Sequence, residues 1–64
     1  MITVIKPNTP QNKVDGLIEW FREQNLDVHV SAGKDYTVLG LVGDTSKLDM
    51  DLIESLDIVE SVKR

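Results

Sequence analysis

Four segments of the chain have the hydrophobic pattern of β-strands. An apolar, β-branched run opens the chain and predicts a strand buried on both faces. The second segment alternates strictly between apolar and polar residues, which is typical of a half-buried strand. The third is apolar at nearly every position, and the fourth is a short run that also contains polar residues. The four predicted strands are residues 1–5, 27–32, 36–42 and 58–62.

The alternation in the second predicted strand sets two polar side chains apart. Val28 and Val30 lie on one face, and His29 and Ser31 lie on the other. His29 and Ser31 are about 7 Å apart along the strand and point the same way, so together they can hydrogen-bond a phenol, a carboxylate or an amine. The alternative is that an edge strand simply shows polar residues to water.

A helical period follows the first strand. Thr9 and Pro10 predict the start of the helix, with the threonine hydroxyl as N-cap and the proline at the first helical position. Asn25 can end the helix in the left-handed conformation. Gly16 lies inside the helix, costs about 1 kcal/mol relative to alanine, and suggests a close approach of backbones. The apolar face is formed by Val14, Leu17, Ile18 and Phe21.

A second, shorter helix is predicted near the end of the chain. Ser46 and Asp49, three residues apart, resemble a capping box. The apolar stripe that follows consists of Leu48, Leu52, Ile53 and Leu56. On the first helix, Trp20 lies about 110° from the centre of the apolar stripe. It is therefore either a residue that packs at the edge of the core or an anchor of an interface with a partner.

The order of elements is β-α-β-β-α-β. This order predicts one α+β domain over residues 1–64, with a ferredoxin-like four-stranded antiparallel sheet and two helices on one face. Right-handed crossovers place the first and third strands in the centre of the sheet. The second and fourth strands carry polar residues at alternate positions, as edge strands do.

Two helices cover only one face of such a sheet. A two-residue turn at Gly33 and Lys34 would pair Ser31 with Tyr36, and His29 with Val38. The helices would then cover Val28, Val30, Thr37, Leu39 and Leu41. The open face would consist of His29, Ser31, Tyr36, Val38, Gly40 and Val42. An error of one residue in the turn would reverse the third strand, but either arrangement leaves an apolar row uncovered. Such a row usually marks a contact surface, and the alternative is a slightly apolar sheet that needs no partner.

Composition narrows the classes of function. The 64 residues contain no cysteine and one histidine, and the net charge is −4. Disulfides and thiolate metal sites are therefore excluded, a reducing cytoplasmic setting is expected, and the acidic balance argues against nucleic acid. No apolar run approaches the roughly 20 residues that span a bilayer, so no membrane partner is expected.

The chain offers little chemistry of its own. Gly40 and Gly43 form only a weak phosphate-loop signal, and no acid orients His29 for nucleophilic catalysis by Ser31. The acidic residues near the second helix lack calcium-loop spacing and indicate a solvated face. They are Asp49, Asp51, Glu54 and Asp57. We therefore expect no catalytic residue, no bound metal and no cofactor.

Several short motifs resemble one known family. The motifs are Ile2-x-Val4-x-Lys6-Pro7, His29-x-Ser31-x-Gly33, Thr37-x-x-Gly40-x-x-Gly43-Asp44 and Glu54-Ser55-Leu56-Asp57-x-Val59-Glu60-Ser61-Val62. Together they resemble the ferredoxin-like N-terminal domain of one class of 3-deoxy-D-arabino-heptulosonate 7-phosphate (DAHP) synthase. That enzyme condenses phosphoenolpyruvate with erythrose 4-phosphate at the head of the shikimate pathway, on a metal-dependent (β/α)₈ barrel. The resemblance covers essentially the whole chain.

The resemblance implies a regulatory role. In that family the small domain binds tyrosine or phenylalanine between domains of neighbouring subunits and closes the barrel mouth, which gives feedback inhibition. His29 and Ser31 would be the polar contacts to this ligand. No barrel follows Arg64 in the sequence, so the chain is expected to be an excised domain or a free-standing relative without catalytic residues.

The resulting hypothesis is an allosteric, amino-acid-sensing domain that uses its open sheet face. Its expected partners are an aromatic amino acid and either a second copy or a DAHP synthase barrel. A competing hypothesis is a ligand-independent oligomerisation or docking module. A third, an enzyme of the acylphosphatase type, is disfavoured because the segment 6–10 after the first strand offers no arginine for phosphate.

Overall fold

The chain folds in the predicted order β-α-β-β-α-β. A computed structural model describes all 64 residues. The elements are β1 (Ile2–Ile5), α1 (Gln11–Glu23), β2 (Asp27–Ala32), β3 (Thr37–Val42), α2 (Met50–Glu54) and β4 (Val59–Lys63). The strands differ by at most one residue at either end from the segments predicted from the sequence, whereas α2 is shorter than its apolar stripe suggests.

The four strands form one antiparallel sheet in the order β2-β3-β1-β4. The two central strands are therefore β1 and β3, as predicted from their apolar character. The amide group of Leu41 donates to the carbonyl of Met1 at 2.8 Å, which extends the pairing of the central strands by one residue. The ferredoxin-like architecture is confirmed.

The core lies between the sheet and the helices. Phe21 on α1, Ile53 on α2, and Ile5 and Leu39 on the sheet are almost fully buried. The other buried hydrophobic residues are Val14, Leu17, Ile18, Leu26, Leu41, Val59 and Val62. The buried residues thus include the whole predicted apolar face of α1, which is Val14, Leu17, Ile18 and Phe21. Neither helix is long and apolar enough to cross a lipid bilayer.

The start of α1 differs from the prediction. The N-cap is Pro10, which makes no side-chain capping bond, and the helix begins at Gln11. The Thr9 hydroxyl instead donates to the Lys6 carbonyl at 2.7 Å, so it closes the loop before the helix. The predicted end is confirmed, because Asn25 follows the C-cap and has a φ of 63°.

The start of α2 also differs. Asp49 is the N-cap, and its Oδ1 accepts a hydrogen bond from the Leu52 amide at 3.1 Å. Ser46 lies before the helix, where its amide and hydroxyl both donate to Oδ1 of Asp44. The capping-box interpretation was therefore wrong: Asp49 caps the helix by itself, and Ser46 stabilises the preceding loop.

The β2–β3 hairpin has a longer turn than predicted. Ala32 pairs with Thr37, and the Gly33 amide donates to the Tyr36 carbonyl at 2.8 Å, so residues 33–36 form the turn. Ser31 consequently faces Val38 rather than Tyr36. The register differs from the predicted one by two residues, and such a shift leaves every β3 side chain on its predicted face.

Strand β4 contains an irregularity at Glu60. Ile5 pairs with Val59, whereas the preceding residue of β1, Val4, pairs with Ser61. Glu60 is the extra residue of a bulge, which allows Val59 and Val62 to enter the core although they are three positions apart.

Gly16 was expected to mark a close approach of backbones, and this expectation was wrong. A Cβ atom built at Gly16 would meet no atom within 4 Å. A Cβ atom at Gly33 would lie 2.8 Å from the Tyr36 carbonyl oxygen, so the β2–β3 turn requires a glycine. Gly43 is a second glycine that the fold requires. Its φ is +134°, and a Cβ atom there would lie 2.9 Å from Cδ2 of Leu26.

Candidate functional site

The face of the sheet opposite the helices is open and partly apolar. Ile2 and Val42 are 51% and 55% exposed, and Val4 and Val38 are half-buried. The predicted burial of β1 on both faces is therefore wrong. Only Thr3 and Ile5 of this strand are buried, because the helices cover one side alone. The uncovered apolar row that the sequence predicted is present.

Strand register arranges the open face in rows. One row across the sheet is formed by His29, Gly40, Ile2 and Lys63. The next row is formed by Ser31, Val38, Val4 and Ser61. Paired residues share a face, so each polar residue of β2 is followed across the sheet by small or apolar residues of β3 and β1.

His29 and Ser31 lie together on this face, as predicted. Both residues are exposed. Neither side chain makes a hydrogen bond to another residue of the chain. The imidazole and the hydroxyl therefore keep their full hydrogen-bonding capacity for a group brought to the sheet.

Gly40 shapes the surface beside His29. The two residues are paired across β2 and β3, and a Cβ atom at Gly40 would lie 3.8 Å from the His29 Cβ atom. That distance is an ordinary contact, so glycine is not required for strand pairing. Its effect is a shallow notch between the imidazole and Ile2, the next residue in the row.

Both edges of the open face carry charges that the sequence did not single out. Asp27 faces Val42 at one end of β2, and Lys63 faces Ile2 on β4. The position of Lys63 depends on the bulge at Glu60, which shifts the alternation of β4 by one residue. Bulges leave little signal in a short sequence, and this explains why Lys63 was missed.

Tyr36 departs from its predicted place. It lies in the turn rather than in β3 and is 45% exposed. Together with Lys6 and Lys34 it lines a small polar cleft of about 130 Å³ between the turn and the loop before α1. Tyr36 therefore lies outside the rows that contain His29 and Ser31.

The side chains that could bind a metal ion do not cluster. No group of three or more His, Asp or Glu side chains converges in the described chain. The acidic residues around α2 are all exposed, as predicted for a solvated face. His29 has no hydrogen-bonded carboxylate that would orient its imidazole toward Ser31.

Comparison with known proteins adds three findings. The sequence model of the family described as "DAHP synthase ferredoxin-like domain" matches residues 1–64. The chain is 39% identical over 64 residues to phospho-2-dehydro-3-deoxyheptonate aldolase of Thermotoga maritima. A crystal structure of phospho-2-dehydro-3-deoxyheptonate aldolase (DAHP synthase) from Thermotoga maritima superimposes with a TM-score of 0.83 at 37% sequence identity.

The matches differ greatly in length from this chain. The alignment with the curated relative covers 100% of this chain but 19% of the relative. The superposition covers 94% of this chain and 18% of the solved chain. The chain therefore spans about a fifth of the relatives it matches, and the similarity concerns the small domain alone.

Proposed function

Because this chain belongs to the DAHP synthase ferredoxin-like domain family, we propose that it is an allosteric domain that senses an aromatic amino acid. The proposed ligand is tyrosine or phenylalanine, and the proposed site is the open sheet face at His29 and Ser31. Binding would give feedback inhibition of a DAHP synthase in the cytoplasm. The condensation itself is assigned to a catalytic barrel rather than to this domain.

The observation that carries this proposal is the free polar pair beside an uncovered apolar row. An aromatic amino acid combines a flat apolar ring with an ammonium and a carboxylate. Ile2 and Val38 offer apolar surface to the ring, and His29 and Ser31 can hydrogen-bond the carboxylate or a phenol. The notch at Gly40 leaves room for a ring next to the imidazole.

A ligand on this face acts on assembly. The face is flat and open, so the bound molecule remains partly exposed unless a second surface covers it. We propose that this surface is a second copy of the domain or the catalytic barrel. The ligand then favours the assembly in which it is covered, because a ligand shifts an equilibrium only through differential affinity.

Titration of tyrosine and phenylalanine into the domain tests the proposal. We expect NMR shifts at His29 and Ser31 that saturate, with sedimentation showing a larger species when ligand is present. His29→Ala and Ser31→Ala should each weaken binding about tenfold, which corresponds to about 1.4 kcal/mol. Val30→Ala is the matched control, because Val30 is 52% exposed on the same strand but faces the other side. Absence of any shift at millimolar concentrations of both amino acids, in monomer and dimer, would overturn the proposal.

A second candidate function is a docking module without a small ligand. The exposure of Ile2 and Val42 favours it, because an exposed apolar patch usually marks a contact surface between proteins. This candidate gives a concentration-dependent dimer that is indifferent to tyrosine and phenylalanine. In that case Val42→Lys dissociates the dimer, whereas His29→Ala leaves it intact.

A further inference from the structure

The edge of the sheet at β2 presents free backbone groups. Strand β2 is paired with β3 alone. In an antiparallel ladder, pairs that exchange two hydrogen bonds alternate with pairs that exchange none. The Gly33 amide bonds to the Tyr36 carbonyl in the register of the two strands, so every second residue of β2 counted back from Gly33 also bonds to β3. The intervening residues, whose N–H and C=O groups point away from β3, are Val28, Val30 and Ala32.

A second contact gives the same alternation. The Leu41 amide donates to the Met1 carbonyl and the Met1 ammonium donates to the Leu41 carbonyl, so the backbone groups of Leu41 face β1. Val28, which is paired with Leu41 across the sheet, therefore directs its own groups outward. No hydrogen bond outside the sheet involves Val28, Val30 or Ala32. These residues leave their N–H donors and C=O acceptors unpaired along one side of β2.

Strand β2 lacks the features that normally keep the edge of a sheet from pairing. Such features include prolines, lysines and bulges. β2 contains none of them, and its one charged residue, Asp27, is its first residue. The other edge strand, β4, has a bulge at Glu60 and ends in Lys63. On the helix side of β2, Val30 is 52% exposed and Ala32 is exposed as well, so apolar side chains accompany the free backbone groups.

We propose that the β2 edge pairs with the β2 edge of a second copy of this chain. The free groups are self-complementary, because Val28 and Ala32 lie two residues before and two residues after Val30. A twofold axis at Val30 places it opposite Val30 of the partner subunit, and places Val28 opposite Ala32 of the partner subunit. Every free donor of one copy then meets a free acceptor of the other. The two four-stranded sheets become one continuous sheet with all the helices on the same face.

The side chains are compatible with this pairing. Paired residues share a face, so Val30 meets Val30 of the partner subunit on the helix side and loses its exposure to water. Asp27 comes opposite Gly33 of the partner subunit, so no like charges face each other. On the open face, His29 comes opposite Ser31 of the partner subunit at a Cα distance of about 4.5 Å. The contact is made by the edge of the sheet without a ligand, so it does not depend on the function proposed for the open face.

Amide exchange and sedimentation test the proposal on the 64-residue chain without added ligand. Sedimentation should show a dimer that forms as concentration rises. The amides of Val28, Val30 and Ala32 should exchange with deuterium at least about tenfold more slowly in the dimer than in dilute samples. The amides of His29 and Ser31 bond to β3 in both states and are the internal control. In a mixture of labelled and unlabelled chains, NMR should show a contact between Hα of His29 and Hα of Ser31 of the partner subunit.

Two variants at the twofold axis and one control distinguish the edge from the open face. Val30→Pro removes one edge donor from each copy and leaves the bonds to β3 in place, because the Val30 amide points outward. Val30→Lys brings two ammonium groups together at the axis. Each variant should remain folded by circular dichroism and weaken association at least about tenfold. Val42→Lys is the matched control, because it introduces the same charge at a residue that is 55% exposed on the open face, and it should dimerise like the wild type.

Three outcomes would overturn the proposal. The first is a chain that stays monomeric up to millimolar concentration. The second is a dimer that Val42→Lys dissociates and Val30→Lys does not, which would place the interface on the open face. The third is a dimer in which the amides of Val28, Val30 and Ala32 exchange as fast as in the monomer. If Val30→Pro unfolds the chain, the comparison of Val30→Lys with Val42→Lys decides.

Discussion

Replacing Thr3 by valine should stabilise the domain. Thr3 is fully buried between Leu39 on β3 and Val62 on β4, and its hydroxyl has no hydrogen-bond partner. An unsatisfied buried hydroxyl costs about 1–3 kcal/mol. Valine keeps the shape and the β-branched character while removing the polar atom. We therefore expect a gain of about 1 kcal/mol, at the lower end of that range.

The gain is large enough to measure. With 64 residues, the entropy of unfolding is about 0.13 kcal/mol/K, so about 1 kcal/mol raises Tm by about 7 °C. Thermal and urea unfolding followed by circular dichroism would give both values. Thr3→Ser is the matched control, because it keeps the hydroxyl and loses a methyl group, and it should destabilise by about 1 kcal/mol. An unchanged or lower Tm for Thr3→Val would refute the reasoning, since it would mean that the hydroxyl is satisfied in the folded state.

Three further predictions concern the loops and caps. Gly43→Ala should destabilise by about 2 kcal/mol or more in urea unfolding, because φ is +134° and the new Cβ atom would lie 2.9 Å from Leu26; equal stability would contradict this. Asp49→Ala should lower the free energy of unfolding by about 1 kcal/mol, because α2 loses its N-cap, and Ser46→Ala should lower it clearly less. A larger loss in Ser46→Ala than in Asp49→Ala, measured by urea unfolding, would contradict the assignment of Asp49 as the N-cap. The side-chain and backbone hydrogen bonds from Ser46 lower the pKa of Asp44 in the folded state. The ionised Asp44 carboxylate therefore stabilises the fold above the unfolded-state pKa, and this stabilisation is lost as pH falls through the folded-state pKa. NMR titration of the carboxyl group should show a pKa below 3.8 that rises in Ser46→Ala, and an unchanged pKa in that variant would reject the cause.

The architecture could be predicted because the hydrophobic period identifies each helix and strand, and the order of these elements along the chain allows few topologies. The alternation of β2 placed His29 and Ser31 together on the open face before any register was known. The turn at Gly33 was predicted too short, yet the faces were correct, because an even shift preserves the alternation of a strand. The face that a residue occupies is therefore easier to predict than its cross-strand partner.

Features that depend on tertiary packing could not be predicted. Val30 lies on the helix side as expected, but it is 52% exposed, so being on the covered face does not ensure burial on an edge strand. Gly16 looked like a packing glycine, and only the structure shows the empty space around it. Lys63 lies on the open face because of the bulge at Glu60, which the hydrophobic pattern of β4 does not reveal.

The pairing of β1 with β4 also bears on how this domain can be joined to other proteins. Ile2 lies directly opposite Lys63, so the ends of the two strands are about 5 Å apart. A circular permutant that links them through a few glycines should leave the sheet intact, with new termini in the β2–β3 turn. The same proximity would let the domain be spliced into a surface loop of an unrelated host without forcing that loop apart.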